Sequence, residues 1–127
     1  MREHLLRILT RLGGGQKVKD ADLIAWANDK VTGSGKSTSM NDFRDSSLSN
    51  SLFFLDLIDA IRPGTVEAEY VTAGGSDEEK LDNARYAVAL ARRIGALIFL
   101  LPEDIVDVKP KLILTLVATL MALDRGN

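Results

Sequence analysis

The chain has 127 residues, 46% hydrophobic and 27% charged, with 16 lysines and arginines against 18 aspartates and glutamates for a formal net charge of −2. These figures fit one soluble globular domain with a single core, and they exclude a global electrostatic drive toward nucleic acid or an anionic membrane. Cysteine is absent and His4 is the only histidine, which excludes disulfide staples, thiol nucleophiles and imidazole metal clusters and makes a reducing, cytosolic location unremarkable.

The charge is uneven: Arg2, Arg7, Arg11, Lys17 and Lys19 face only Glu3 within the first nineteen residues. Leu5, Ile8, Leu9 and Leu12 follow the spacing of one helical face, and Gly13, Gly14 and Gly15 end it. Residues 1–15 therefore read as a linker helix with a glycine hinge, and residues 16–125 as the domain proper. Asp20 is a plausible N-cap for a helix to about Val31, with Asp22 in the first turn, Leu23, Trp26 and Ala27 on the inner face, and Lys30 near the negative end.

Residues 33–50 are rich in Gly, Ser and Asp, with Met40, Phe43 and Leu48 as apolar anchors, and read as a long packed loop with room for one helical turn. From Leu52 to Ile61 the residues are apolar nearly all round, which predicts a central buried helix stopped by Pro63 and Gly64. One short turn is expected between Val66 and Thr72. Ser76 with Glu79 predicts a capping box for a helix carrying Leu81, Ala84, Val88 and Ala91 on one face, with Arg92 and Arg93 at its negative end and Gly95 as the C′ residue. Leu97 to Leu101 is expected to be a buried connection, there being no partner strand.

Pro102 opens a short helical turn, and Pro110 lies in the first turn of a last helix to about Leu123. The most apolar run, Leu112 to Leu123, is well short of the roughly 20 residues that a membrane-spanning helix needs, so it reads as a core helix. The fold class expected is all-α, with four main helices plus short connecting ones. Trp26, Phe53, Leu57, Val88 and Leu116 are assigned to the core.

Most candidate chemistry fails on spacing. Gly33-Ser34-Gly35-Lys36-Ser37-Thr38 imitates the end of a phosphate-cradling loop, but Lys30 stands where the earlier glycine is required. That loop also needs a strand before it and a helix after it, and here a helix precedes and a loop follows. Glu78-Glu79 and Glu103-Asp104 lie at helix starts, where carboxylates cap rather than catalyse. Trp26, Phe53 and Phe54 lack the interleaved basic residues of a nucleic-acid stacking platform. No catalytic, metal or cofactor site is expected, which leaves a binding or structural module.

The order of elements then resembles a known family. LIAWANDK (Leu23 to Lys30), the loop to Phe43-Arg44-Asp45, LFFLDLIDAIRPG (Leu52 to Gly64), EEKLDNARYAVALARRIG (Glu78 to Gly95) and LPEDIVDVKPKLILTLVATLM (Leu101 to Met121) are similar to the calponin-homology pattern. They are most similar to the last, fourth such domain of the fimbrin/plastin family, over about Asp20 to Met121. Two departures are Asn50-Ser51, where many members have glycine, and Arg44, where other tandem domains often have an aromatic residue.

The resemblance implies a calponin-homology fold and an actin-filament-binding module, half of a tandem pair in a bundling protein of the cytoplasmic cytoskeleton. It also implies partners in the filament and in a neighbouring calponin-homology domain, with no nucleic acid, no membrane span, no enzyme activity and a monomeric state. By the same resemblance Lys17, Lys19, Asp22 and Lys30 are the expected actin-facing residues. The alternative is a protein-interaction or microtubule-associated module of the same fold that does not touch actin.

Overall fold

The computed structural model describes residues 19–126. Among them are five α-helices, α1 (Asp20–Gly33), α2 (Leu52–Ile61), α3 (Asp77–Arg93), α4 (Pro102–Val106) and α5 (Pro110–Gly126), with 3-10 turns at Ser46–Asn50 and Ala68–Tyr70. Four are long and one is short, so the all-α expectation holds. The expected linker helix, the glycine hinge, His4 and Lys17 lie outside the described residues.

Helix α2 is the centre of the packing. Phe53, Phe54, Leu55, Leu57 and Ile58 are all 3% exposed or less, so every side of its middle turns is covered, and each such side chain contributes roughly 1.5–3 kcal/mol on leaving water. Helix α1 lays Leu23, Ala27 and Val31 into the core and packs on both α2 and α5. Helix α3 contributes Ala84, Ala87, Val88, Leu90 and Ala91, and α5 contributes Ile113, Leu116, Val117, Leu120 and Met121.

The long loop is fixed by its anchors. Met40, Phe43 and Leu48 are buried, and the Asn28 side-chain amide brackets Met40, donating to its carbonyl and accepting from its N–H, both at 2.9 Å. Thr38 donates to Asp56 on α2 at 2.7 Å. Asp45 accepts from the N–H groups of Asn41 and Ser47 and from the Ser47 hydroxyl. These bonds hold its carboxyl below its ordinary pKa, the Asn41 N–H contributing most.

Helix α3 carries a polar side chain inside the core. Asn83 is 0% exposed; its carboxamide oxygen accepts from the Thr72 N–H (2.8 Å) and hydroxyl (3.0 Å). Its NH2 donates to the carbonyls of Asn50 and Thr72, both at 3.1 Å. One side chain thus ties α3 to the turn before α2 and to the strap leading into α3. The strap runs so close that a Cβ on Gly74, whose φ is +73°, would meet the Asn50 Cβ at 2.7 Å.

Three helices end in the same way. In α1, Lys36 N–H bonds Val31 C=O and Gly35 N–H bonds Thr32 C=O; in α3, Ala96 bonds Ala91 and Gly95 bonds Arg92; in α4, Lys109 bonds Asp104 and Val108 bonds Ile105. This is the Schellman pairing, which requires a left-handed residue at C′. Gly35 (φ 86°) and Gly95 (φ 106°) supply it freely, and Val108 (φ 49°) does so against its β-branched side chain. Gly33 to Thr38 is therefore a helix C-terminus followed by a loop, presenting carbonyls where a phosphate needs amides.

Several local expectations are corrected. Lys19, in extended backbone, is the residue before α1, because its N–H is taken by the Asp22 carboxylate at 3.3 Å; Asp20 is already helical. Ser76 caps α3 by accepting the Glu79 N–H, but Glu79 reaches back to Gly75 N–H rather than to Ser76. Residues 97–101 form no strand, yet only Leu100 is buried, and Leu97 and Leu101 are 51% and 59% exposed. Helix α5 extends beyond Leu123 to Gly126.

Two buried polar groups give predictions of opposite sign. Asn83→Ala strands the Asn50 and Thr72 carbonyls and the Thr72 N–H, and should cost about 3 kcal/mol. Ser51 is fully buried, at φ 62°, and its hydroxyl has no hydrogen-bond partner. Ser51→Gly should gain about 1 kcal/mol, because relief of the left-handed strain and of the orphan hydroxyl exceeds the added freedom of glycine in the unfolded chain. Urea melts of both variants against the parent check these signs.

Candidate partner-binding surface

Helices α1 and α5 lie side by side and run the same way. Their first turns share a groove lined by Asp20, Ile24, Pro110 and Lys111, and their last turns are joined by the Lys30 Nζ to Asp124 Oδ1 ion pair at 3.0 Å. One end of the domain thus carries both helix N-termini and the other both C-termini.

The residues expected to face a partner divide between these ends. Lys19 is exposed at the N-terminal end, and so is Asp22, whose carboxylate is committed to the Lys19 N–H. Lys30 is half-buried at the far end and its ammonium is committed to Asp124. Ten helical residues lie between the two lysines, roughly 16 Å along the axis. They do not form one basic face. The exposed stripe of α1 between them is Asp22, Ala25 and Asp29, which is acidic.

Trp26 differs from the fully buried position assigned to it. It is half-buried and packs on the edge of the core beside the buried stripe of Leu23, Ala27 and Val31. The reason is angular: Trp26 lies three residues from Leu23 and five from Val31, so its position falls to the side of the line those residues draw. Phe53, Leu57, Val88 and Leu116 are 4% exposed or less.

The fold adds two basic residues that periodicity did not single out. Arg44 follows the buried Phe43, and Lys111 stands in the first turn of α5; both are exposed and line the groove with Asp20 and Asp42. Lys19, Arg44 and Lys111 thus come from three distant parts of the sequence to the end where the chain comes in. Arg44 is held in its turn by its own N–H, which donates to Asp42 at 2.8 Å. For Lys111 the advance signal was the proline before it, which marks a helix start and hence an exposed first turn.

Near α4, the Leu101 N–H donates to Asp104 at 2.8 Å and Lys109 pairs with it at 3.0 Å. The Leu101 bond holds the Asp104 carboxyl below its ordinary pKa against the opposing effect of burial, with Lys109 assisting. This carboxylate closes its own helix, which is structural work. Among the described residues no His, Asp or Glu cluster is arranged to hold a metal ion, and no helix is long and apolar enough to cross a membrane.

The calponin homology (CH) domain model matches residues 17–126. Plastin-3 of Danio rerio is 49% identical over 122 residues, covering 95% of this chain and 20% of that protein. Plastin-3 of Homo sapiens is 47% identical, covering 95% and 19%. The crystal structure of the actin-crosslinking core of Schizosaccharomyces pombe fimbrin superposes with a TM-score of 0.82 at 41% identity, covering 91% of this chain and 24% of that one. The chain spans about a fifth of the length of these plastins.

The position of Trp26 sets a stability expectation. Trp26→Ala should destabilise by about 2 kcal/mol, less than the roughly 3–5 kcal/mol of a fully buried indole, because part of the ring is already in water. A thermal melt measures it, and a melt equal to the parent's would show that the ring does not pack on the core.

Proposed function

The chain belongs to the calponin homology domain family, and on that premise we propose that it is an actin-filament-binding module, one half of a tandem pair. The observation that carries this reading is the joint likeness in fold and sequence to the actin-crosslinking core of fimbrin. Within that family we assign it to the fourth domain, on the resemblance of Asp82-Asn83-Ala84, Leu101 to Val106 and Lys109-Pro110-Lys111. Its partners are the filament and the neighbouring calponin homology domain, its setting is the cytoplasmic cytoskeleton, and it works as a monomer without cofactor or catalysis. A single filament site cannot crosslink two filaments, so bundling belongs to a longer chain with a second site.

The filament surface is strongly acidic, so the face that meets it must be basic or neutral. Lys19, Arg44 and Lys111 support the N-terminal end of α1 and α5 as that face, with Lys17 nearby in the sequence. Lys30, neutralised by Asp124, is withdrawn from the contact. The acidic stripe Asp22 to Asp29 favours the second reading, an interaction module that avoids actin, if that stripe rather than the helix end meets the partner.

The double variant Lys19→Glu/Lys111→Glu separates the two. In the tandem pair it should lower co-sedimentation with actin filaments at least fivefold at low salt and by a smaller factor at moderate salt, as screening weakens both attraction and repulsion. Folding stability should move by only about 0.5 kcal/mol, because both side chains are exposed. Unchanged binding at both salt levels would move the weight to the second reading.

A further inference from the structure

A second groove lies between the 3-10 turn at Ser46–Asn50, the start of α3 and the short helix α4. Its volume is about 540 Å3, typical of sites that hold a ligand the size of a few residues. The floor is apolar, with Leu81, Val106 and Val108 half-buried in it. The rim carries the exposed carboxylates of Asp77, Glu103 and Asp107 against the single ammonium of Lys80. Lys109, the next cation along the chain, is committed to Asp104 at 3.0 Å and cancels that charge alone. The groove is apolar inside and acidic at its edge.

Capping does not account for this rim. Ser76 caps α3 and Asp104 closes α4, so Asp77 and Glu103 gain only the general preference of a first helical turn for acids. Asp107 lacks even that, because it follows the last residue of α4, at the end that disfavours negative charge. Among the described residues none of the three carboxylates forms an ion pair.

The floor is kept against backbone strain. Gly35 and Gly95 make their left-handed turns freely, while the same turn after α4 uses Val108 at φ 49°. Glycine at that position would ease the backbone and remove part of the floor.

Carboxylates around an apolar floor are complementary to lysine or arginine on either side of an aliphatic side chain, the long basic stems adding apolar contact of their own. An acidic surface is repelled by the same rim, so this groove suits a different partner from the filament. We propose that it docks a basic peptide segment of a partner protein, with an aliphatic side chain on Leu81, Val106 and Val108 and lysine or arginine at Asp77, Glu103 and Asp107. Its residues are distinct from those of the groove at the first turns of α1 and α5. The inference does not depend on actin binding, and its test uses no filament.

The probe is a random octapeptide library displayed on phage and selected at low salt against the full 127-residue chain. Selected sequences should carry lysine or arginine beside leucine, isoleucine or valine. One of them, made as a free peptide, should shift the backbone amide resonances of Leu81, Val106 and Val108 and leave those of Ile24, Leu97 and Leu114 in place. Asp77→Asn/Glu103→Gln/Asp107→Asn, nearly isosteric and exposed, should weaken its affinity roughly tenfold while the rest of the amide spectrum stays as in the parent. Val108→Gly, which keeps the left-handed turn, should weaken it roughly threefold. No enrichment, or enrichment without basic residues, overturns the proposal. So does a basic peptide whose shifts fall on Leu97 and Leu101 or in the groove of α1 and α5, and so does equal affinity for the parent and the neutralised variant.

Discussion

Four hydrogen bonds from one buried amide decide how the long helices sit. Asn83 has no exposure and binds both polar groups of Thr72's backbone, its hydroxyl, and the carbonyl of Asn50. An apolar side chain of the same size at that place would leave three backbone groups unpaired in the core. A polar side chain with fewer bonds would be little better. The network is fully satisfied, so it fixes one arrangement of α3 against the turn before α2, where a purely apolar contact would permit sliding. With α2 fixed, α1 and α5 have one way to pack, and their N-termini come to the same end.

The helix ends carry the second constraint. Gly35, Gly95 and Val108 perform one job in three places, a left-handed turn that pairs the last carbonyls. At Gly35 this resolves the resemblance of Gly33 to Thr38 to a phosphate loop. Glycine spacing alone does not distinguish the two, but the direction of the neighbouring helix does. A helix C-terminus carries partial negative charge and repels the ligand that an N-terminus attracts.

Much of the fold was legible in the sequence because it depends on local signals. The all-round apolar run at 52–61, the Ser76 cap, Gly95 and the two prolines at 102 and 110 each mark an element by chemistry confined to a few residues. What escaped depends on distant residues meeting. Asn83 shares its helical face with Ala87 and Leu90, so a polar residue on an apolar stripe was there to notice, but its partners 11 and 33 positions away were not. The Lys30–Asp124 pair spans nearly the whole domain, and it removes from the candidate surface a lysine that the helix alone left free. Arg44 and Lys111 enter it for the same reason in reverse.

We place the partner at the end of the domain formed by the first turns of α1 and α5. Lysine acetylation footprinting of the tandem pair on actin filaments tests it most directly. On this placement filaments slow acetylation of Lys19 and Lys111 severalfold and leave Lys36, exposed beyond the last turn of α1, at its free rate. Protection of Lys36 with Lys19 and Lys111 unprotected would contradict it.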